Sequence, residues 1–102
     1  LRLVLNRDYE DMLMKIKESK NISVPDRVAY RHHSATVTET CTRIIDDLMA
    51  ATGGRAIFKT HKINLFFQAI HAARAHYANN PLNSSRNYGG IQIGLESTDF
   101  FI

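Results

Sequence analysis

The apolar residues of this chain recur every three or four positions over three long segments, and this spacing constrains its fold more than any other feature. In the first segment Leu5, Tyr9, Met12 and Ile16 fall on one helical face, with charged residues between them. The pattern predicts an amphipathic helix over residues 2–20.

A second helix is predicted over residues 24–52. Ser23 can accept a hydrogen bond from an amide of the first turn, and Pro25 suits that turn because its ring presets the backbone angle. Gly53 and Gly54 end the helix. Its first half is polar, and its apolar stripe lies in the second half. The stripe comprises Val37, Cys41, Ile44, Ile45, Leu48 and Met49.

A third helix, the most hydrophobic, is predicted over residues 60–79, with Thr60 as its cap and Asn79-Asn80-Pro81 as its stop. Frequent Asn, Ser and Gly after Pro81 predict a loop and tail. Three long helices with short connections predict one all-α domain, an antiparallel helical bundle over residues 1–102. We expect a fourth helix upstream of Leu1, so the chain is interpreted as a piece of a longer protein.

Composition excludes several classes of function. With 102 residues, 44% of them hydrophobic, the chain can build a folded core. No apolar run approaches the roughly 20 residues that cross a bilayer, so no membrane association is predicted. The 13 Lys and Arg residues are dispersed among 10 Asp and Glu residues, which argues against nucleic-acid binding. A single cysteine and the lack of a signal-peptide pattern favour a cytoplasmic location.

Histidines and a glycine pair are the residues that could carry chemistry. His71 and His76 are five positions apart, about 500° around a helix, so they do not share a face and no metal site is predicted. Spacing alone does not distinguish a catalytic histidine from a partly buried structural one. His32 and His33 are predicted to be surface or subunit-contact residues. The run Gly53-Gly54-Arg55 is either a helix cap or a weak phosphate-binding signal.

An ordered series of short motifs resembles the C-terminal helical domain of the acyl-CoA dehydrogenase superfamily. The branch with the greatest similarity is the two-component flavin-dependent monooxygenases, or hydroxylases. The series also extends back to residues 26–32 and onward to 88–90. Its central motifs are Gly53-Gly54-Arg55-Ala56-Ile57-Phe58, then His61, then Ile70-His71-Ala72-Ala73-Arg74-Ala75-His76.

The resemblance implies a reduced-flavin-dependent oxygenase, with FMN or FAD, that hydroxylates a small aromatic or phenolic substrate. It also implies a flavin reductase as partner and a homo-oligomer, dimer or tetramer. His76 is the first catalytic candidate that it implies and His71 the second, because an imidazole can donate or accept a proton near neutral pH. The cofactor-binding candidates are Gly53, Gly54, Arg55 and Asn79.

One position favours this branch over the dehydrogenases. Acyl-CoA dehydrogenases typically carry a Tyr-Glu-Gly-Thr run whose glutamate removes a substrate proton, whereas this sequence has His76-Tyr77-Ala78-Asn79. Other positions depart from the family pattern, because His61-Lys62, Leu65 and Gln68-Ala69 stand where charged residues or proline are usual. The alternatives are an acyl-CoA dehydrogenase-like flavoenzyme with a displaced base and a non-catalytic helical oligomerisation module.

Overall fold

Four α-helices and two short 3₁₀ turns make up the computed structural model, which describes residues 1–102. The prediction of an all-α fold is confirmed. None of the helices combines the length and apolarity that crossing a membrane requires. The helices are α1 (Arg2–Lys17), α2 (Val24–Thr52), α3 (Lys62–Ala75) and α4 (Pro81–Gln92), and the 3₁₀ turns are Gly53–Ile57 and Tyr77–Asn79.

The boundaries of α2 follow its capping residues. The Ser23 hydroxyl accepts a hydrogen bond from the Asp26 amide at 3.2 Å, and Pro25 lies in the first turn. At the other end Gly53 has φ 75° and ψ −160°, a conformation that only glycine adopts readily. Helix α2 therefore coincides with the predicted range.

The other two predicted helices are shorter in the structure. Helix α1 ends at Lys17 and not at residue 20, because Ser19 adopts a left-handed φ of 54°. Helix α3 begins at Lys62 under a cap from His61, whose Nδ1 accepts from the Ile63 amide at 3.2 Å, so Thr60 is not the cap. It ends at Ala75, and the 3₁₀ turn Tyr77–Asn79 follows.

The prediction of a loop and tail directly after Pro81 is wrong, because helix α4 occupies Pro81–Gln92. The Asn80 side chain accepts from the amides of Leu82 and Asn83 at 3.0 and 3.4 Å, and Pro81 provides a favourable first position. The predicted stop of the third helix, Asn79-Asn80-Pro81, thus also contains the start of the next helix. Packing on α2 overrides the weak helix propensity of this segment, whose Asn87 is buried.

Helix α2 is the centre of the fold, and it packs mainly against α3 and α4 and least against α1. Its buried residues are Val28, Ala35 and Thr42, which recur every seven positions and so form one straight seam of small side chains. The molecule measures 51 × 28 × 18 Å. At 18 Å, about two helix diameters, it is too thin for most side chains to be enclosed, and only 8 of 102 residues are buried.

Large apolar side chains accordingly remain exposed along α2 and α3. Leu48, a member of the predicted apolar stripe of α2, is 46% exposed, and Phe66 on α3 is 55% exposed. Exposed apolar surface, where it is contiguous, marks an interaction face in soluble proteins. This chain by itself leaves large apolar side chains of α2 and α3 uncovered.

Candidate functional site

The end of α2, the 3₁₀ turn that follows it and helix α3 surround an open cavity of about 550 Å³. Two of the predicted cofactor-binding residues, Gly53 and Gly54, line it together with the predicted catalytic residue His71. The remaining lining is mostly apolar, from Met49, Ala50, Ala56, Ile57 and Phe67, with Asp46 as the one acid.

His71 is held in place by groups from two helices. Its Nε2 lies 2.7 Å from Oδ1 of Asp46 on α2, and its ring is tilted against that of Phe67, with 4.3 Å between centroids. Both members of the His71–Asp46 pair are partly exposed, so water and ligands can reach them. In the neutral imidazole, a proton on Nε2 bonded to the carboxylate leaves Nδ1 as an acceptor. The pair can therefore orient a proton-transferring group at the cavity.

The fold requires glycine at one of the two glycine positions of the cavity and not at the other. Gly53 needs to be glycine because of its φ of 75°. Gly54 has no such φ, and no atom lies within 4 Å of the place where a Cβ would stand. Nothing within this chain thus requires glycine at position 54, which leaves its backbone open to approach by a group from outside the chain.

The remaining predicted site residues lie outside this cavity. His76 follows the last residue of α3 and is exposed, and its Nδ1 accepts from the Ala78 amide at 3.2 Å as the cap of the 3₁₀ turn Tyr77–Asn79. Asn79 is in the same turn, where its Nδ2 donates to the Ala73 carbonyl at 2.9 Å. Arg55 is exposed on the 3₁₀ turn next to the glycines. The structure brings His71, Gly53 and Gly54 together and places the other three elsewhere.

Asp46 was not identified from the sequence. It is one of many acidic residues on a helix surface, and its partner is 25 positions further along the chain on another helix. Sequence spacing relates residues within a helix only, so it carries no signal for this pair.

A second polar centre joins α1 to the first half of α2. Lys15 Nζ donates to Asp11 Oδ2 at 2.7 Å, to Asp26 Oδ2 at 2.8 Å and to the Tyr30 hydroxyl at 3.1 Å. The Tyr30 hydroxyl also donates to Asp11. The bonds from Lys15 hold the pKa of Asp11 and that of Asp26 below their usual values, and the same bonds raise the pKa of Lys15. Burial raises the pKa of Tyr30.

The two adjacent histidines of α2 face different helices. His33 Nδ1 lies 2.7 Å from Asp8 Oδ2 of α1, and Asp8 is only 5% exposed. The His32 ring stacks on that of Tyr88 in α4, with centroids 4.4 Å apart and an interplanar angle of 6°. Burial, and then the nearby His33, lower the pKa of His32. Both residues were predicted to lie on the surface or at a subunit contact, whereas in this chain both are partly buried and join helices.

Comparison with known proteins finds one matching family model, described as "Acyl-CoA dehydrogenase, C-terminal domain", over residues 1–81. The chain has no match among curated proteins. Among solved structures, the HsaA monooxygenase from M. tuberculosis is 26% identical, with a TM-score of 0.83 over 93% of this chain. The 3-HSA hydroxylase from Rhodococcus sp. RHA1 is 24% identical, also with a TM-score of 0.83 over 93% of this chain, a likeness that shows the fold. The chain spans 25% of the length of each of these two proteins.

Proposed function

This chain belongs to the family of acyl-CoA dehydrogenase C-terminal domains, and we propose that it is the helical domain of a reduced-flavin-dependent oxygenase that hydroxylates an aromatic or phenolic substrate. The similarity to a structure described as a monooxygenase supports this choice within the family. The observation that carries the proposal is the His71–Asp46 pair at the cavity beside Gly53 and Gly54.

The chemistry of the cavity fits one side of a flavin. A flavin ring is flat and largely apolar, has a polar edge, and carries a phosphate-bearing chain. The cavity offers an apolar wall that includes Met49 and Phe67, an imidazole, and a glycine backbone that nothing in the chain covers. Gly53 and Gly54 would allow close approach of the cofactor to the backbone, and the neighbouring Arg55 would contact its polar parts. Asn79 lies in the turn after α3, outside this cavity, and stays a candidate on the resemblance alone. Reduced flavin, when bound, would supply the electrons that activate molecular oxygen.

The residues of this chain would act on protons. His76, the first candidate, and His71, the second, are proposed to accept a proton from a phenol or donate one to an oxygen intermediate, since an imidazole ring can do either. Asp46 is a positioning residue in this proposal, since it touches the imidazole of His71 and not the substrate. No carboxylate is present in the stretch His76-Tyr77-Ala78-Asn79, so nothing there resembles the base of a dehydrogenase.

Two kinds of partner complete the proposal. A separate flavin reductase would supply the reduced cofactor. The half-exposed apolar faces of α2 and α3 would be covered by the rest of the protein and by further copies in a homo-oligomer, either a dimer or a tetramer.

The test is an anaerobic titration of the full-length protein with reduced FMN and with reduced FAD, followed by mixing with oxygenated buffer and a series of phenols. We expect one of the two flavins to bind and hydroxylated product to form. Bleaching of bound oxidised flavin by acyl-CoA thioesters, with no phenol product, would instead identify a dehydrogenase. If neither flavin binds while light scattering shows a stable oligomer, the chain is a non-catalytic oligomerisation module.

Substitutions of single residues test the catalytic roles proposed for His76 and His71. His76→Ala or His71→Ala should lower the ratio of product formed to oxygen consumed, because uncoupled oxygen is released as hydrogen peroxide. Asp46→Asn should lower this ratio less than His71→Ala and shift the pH profile, since it disturbs only the orientation and charge environment of the imidazole. Asp47→Asn is the matched control, because Asp47 is exposed, adjacent on α2 and makes no ion pair. An unchanged ratio in a histidine variant removes that histidine from the mechanism.

A further inference from the structure

A second cavity, of about 320 Å³, lies between α1 and α2, away from the glycine-lined one. Its apolar wall comes from α1, where Leu5, Tyr9 and Met12 form one stripe. Its polar side comes from the first half of α2, where Arg27 and Arg31 are four positions apart and so lie on the same helical face. A volume near 300 Å³ is at the lower end of the range for small-molecule sites.

The positive charges of Arg27 and Arg31 are not neutralised by ion pairs within the chain. Neither Arg27 nor Arg31 forms an ion pair, although seven other pairs are present in the chain. The one acid that lines the cavity, Asp8, is buried and already bonded to His33 and Arg7, at 2.7 and 3.3 Å. Its charge is therefore balanced within the α1–α2 junction, and the cavity retains a net positive side.

The guanidinium of Arg31 is hydrogen-bonded to a backbone oxygen of the tail. Arg31 Nη2 donates to the carbonyl of Phe101 at 2.7 Å, and Ile102 lines the cavity. The start of the tail is anchored on α4, where the buried Asn87 donates to the Ser97 hydroxyl at 3.1 Å and accepts from the Thr98 amide at 2.8 Å. Contacts nearer to Phe101 come from Asp99 and Tyr77. Asp99 Oδ1 accepts from the Tyr77 hydroxyl and from the Phe101 amide, both at 3.0 Å, and the rings of Tyr77 and Phe101 meet edge to face. A carbonyl is a weaker acceptor for a guanidinium than a carboxylate, which can form two parallel bonds.

We propose that the cavity between α1 and α2 binds a small aryl or alkyl carboxylate, whose carboxylate bonds Arg31 and Arg27 and displaces the Phe101 carbonyl. The apolar stripe of α1 requires an apolar body, which excludes inorganic anions as the preferred ligand. Two guanidinium groups on one helical face favour an anionic head group over a neutral one. The site is independent of the proposed oxygenase function, because it shares no residue with the cavity at Gly53 and His71.

The experiment is calorimetric titration of the protein with benzoate, with benzamide as the probe that lacks the charge and acetate as the probe that lacks the ring. We expect benzoate to bind at least about tenfold more tightly than either, as a charge-assisted pair added to apolar contact predicts. Binding should shift the amide resonances of Met12 and Phe101 but not that of Gly54. Equal affinities for benzoate and benzamide, no binding of benzoate, or shifts centred on Gly54 would overturn the proposal.

Variants of the arginines provide the control. Arg31→Gln should weaken benzoate binding at least about tenfold and abolish the preference over benzamide, and Arg27→Gln should weaken it by a smaller factor because Arg27 is the more exposed. Arg43→Gln, at an exposed position on the second half of α2, should leave the affinity unchanged. Helical circular dichroism verifies that each variant is folded. An unchanged benzoate affinity in both Arg31→Gln and Arg27→Gln contradicts the assignment.

Discussion

Burial in α2 runs against its polarity: the polar first half holds the buried apolar residues, and the apolar second half holds none. The polar first half contains Val28 and Ala35, two of the three buried apolar residues of the molecule. Its charged and imidazole groups are bonded to α1 and α4. The apolar second half contains no buried apolar residue, and Ile44 is 47% exposed. The polarity of a helical face thus indicates what kind of partner can pack on it. It does not indicate whether that partner belongs to this chain.

The sharpest test of this comparison truncates one buried and one exposed apolar residue of α2 to alanine. Val28→Ala should lower the free energy of unfolding by about 2 kcal/mol, because Val28 is fully buried and the methyl groups leave a cavity. Leu48→Ala removes more atoms but should cost about 1 kcal/mol or less, because about half of Leu48 already lies in solvent. Urea denaturation measures both. A larger loss for Leu48→Ala would contradict the account of the two halves.

The Asp8–His33 pair should make the next largest contribution. Asp8→Ala leaves His33 without its carboxylate and should lower the free energy of unfolding by about 1–3 kcal/mol, the range for a buried polar group that loses its hydrogen-bond partner. Asp47→Ala, on the exposed side of α2, is the control and should change it by less than about 0.5 kcal/mol. Amide exchange should locate the loss in α1. Equal effects of the two variants would show that the pair does not hold α1 to α2.

Substitutions at the two glycines after α2 test fold stability and ligand binding separately. Gly53→Ala should destabilise the fold by about 1–2 kcal/mol, since alanine is strained at a φ of 75°. Gly54→Ala should leave the thermal midpoint unchanged or slightly raised, because the added Cβ meets nothing. We expect Gly54→Ala nevertheless to weaken flavin binding by the full-length protein. Unchanged flavin affinity would show that no cofactor approaches this backbone.

The smallest expected effect is a pH dependence of the contact between α2 and α4. The pKa of His32 is lowered by burial and by His33, so the unfolded chain binds a proton more readily than the folded one. Stability from this contact is complete above the ordinary histidine pKa of about 6.5 and declines as pH falls towards the lower folded value. His32→Phe keeps a ring against Tyr88 and should flatten the decline below about pH 6.5. A decline that persists unchanged in this variant would assign it to groups other than His32.

The sequence predicted the long helices and the family better than the connections between them. Periodicity located α2 correctly, because the cap at Ser23 and the stop at Gly53 are local. The motif series predicted the family, which the match over residues 1–81 confirms. The segment after Pro81 could not be predicted, because its Asn, Ser and Gly residues favour turns in isolation and become helical only by packing on α2. Of the predicted site residues, His71 and the glycines meet at one cavity, whereas His76 lies outside it and its role stays a prediction.

Local chemistry determined what the sequence alone could show: three long helical segments, the two ends of α2 at Ser23 and Gly53, and the apolar faces that need a cover. Only the tertiary structure decided that Asp46 bonds His71, that His33 faces a buried Asp8, and that Arg31 meets the tail. These contacts join residues at least 25 positions apart on different elements. Helical periodicity relates only neighbours within about two turns, so such pairs become visible when packing sets the helices side by side.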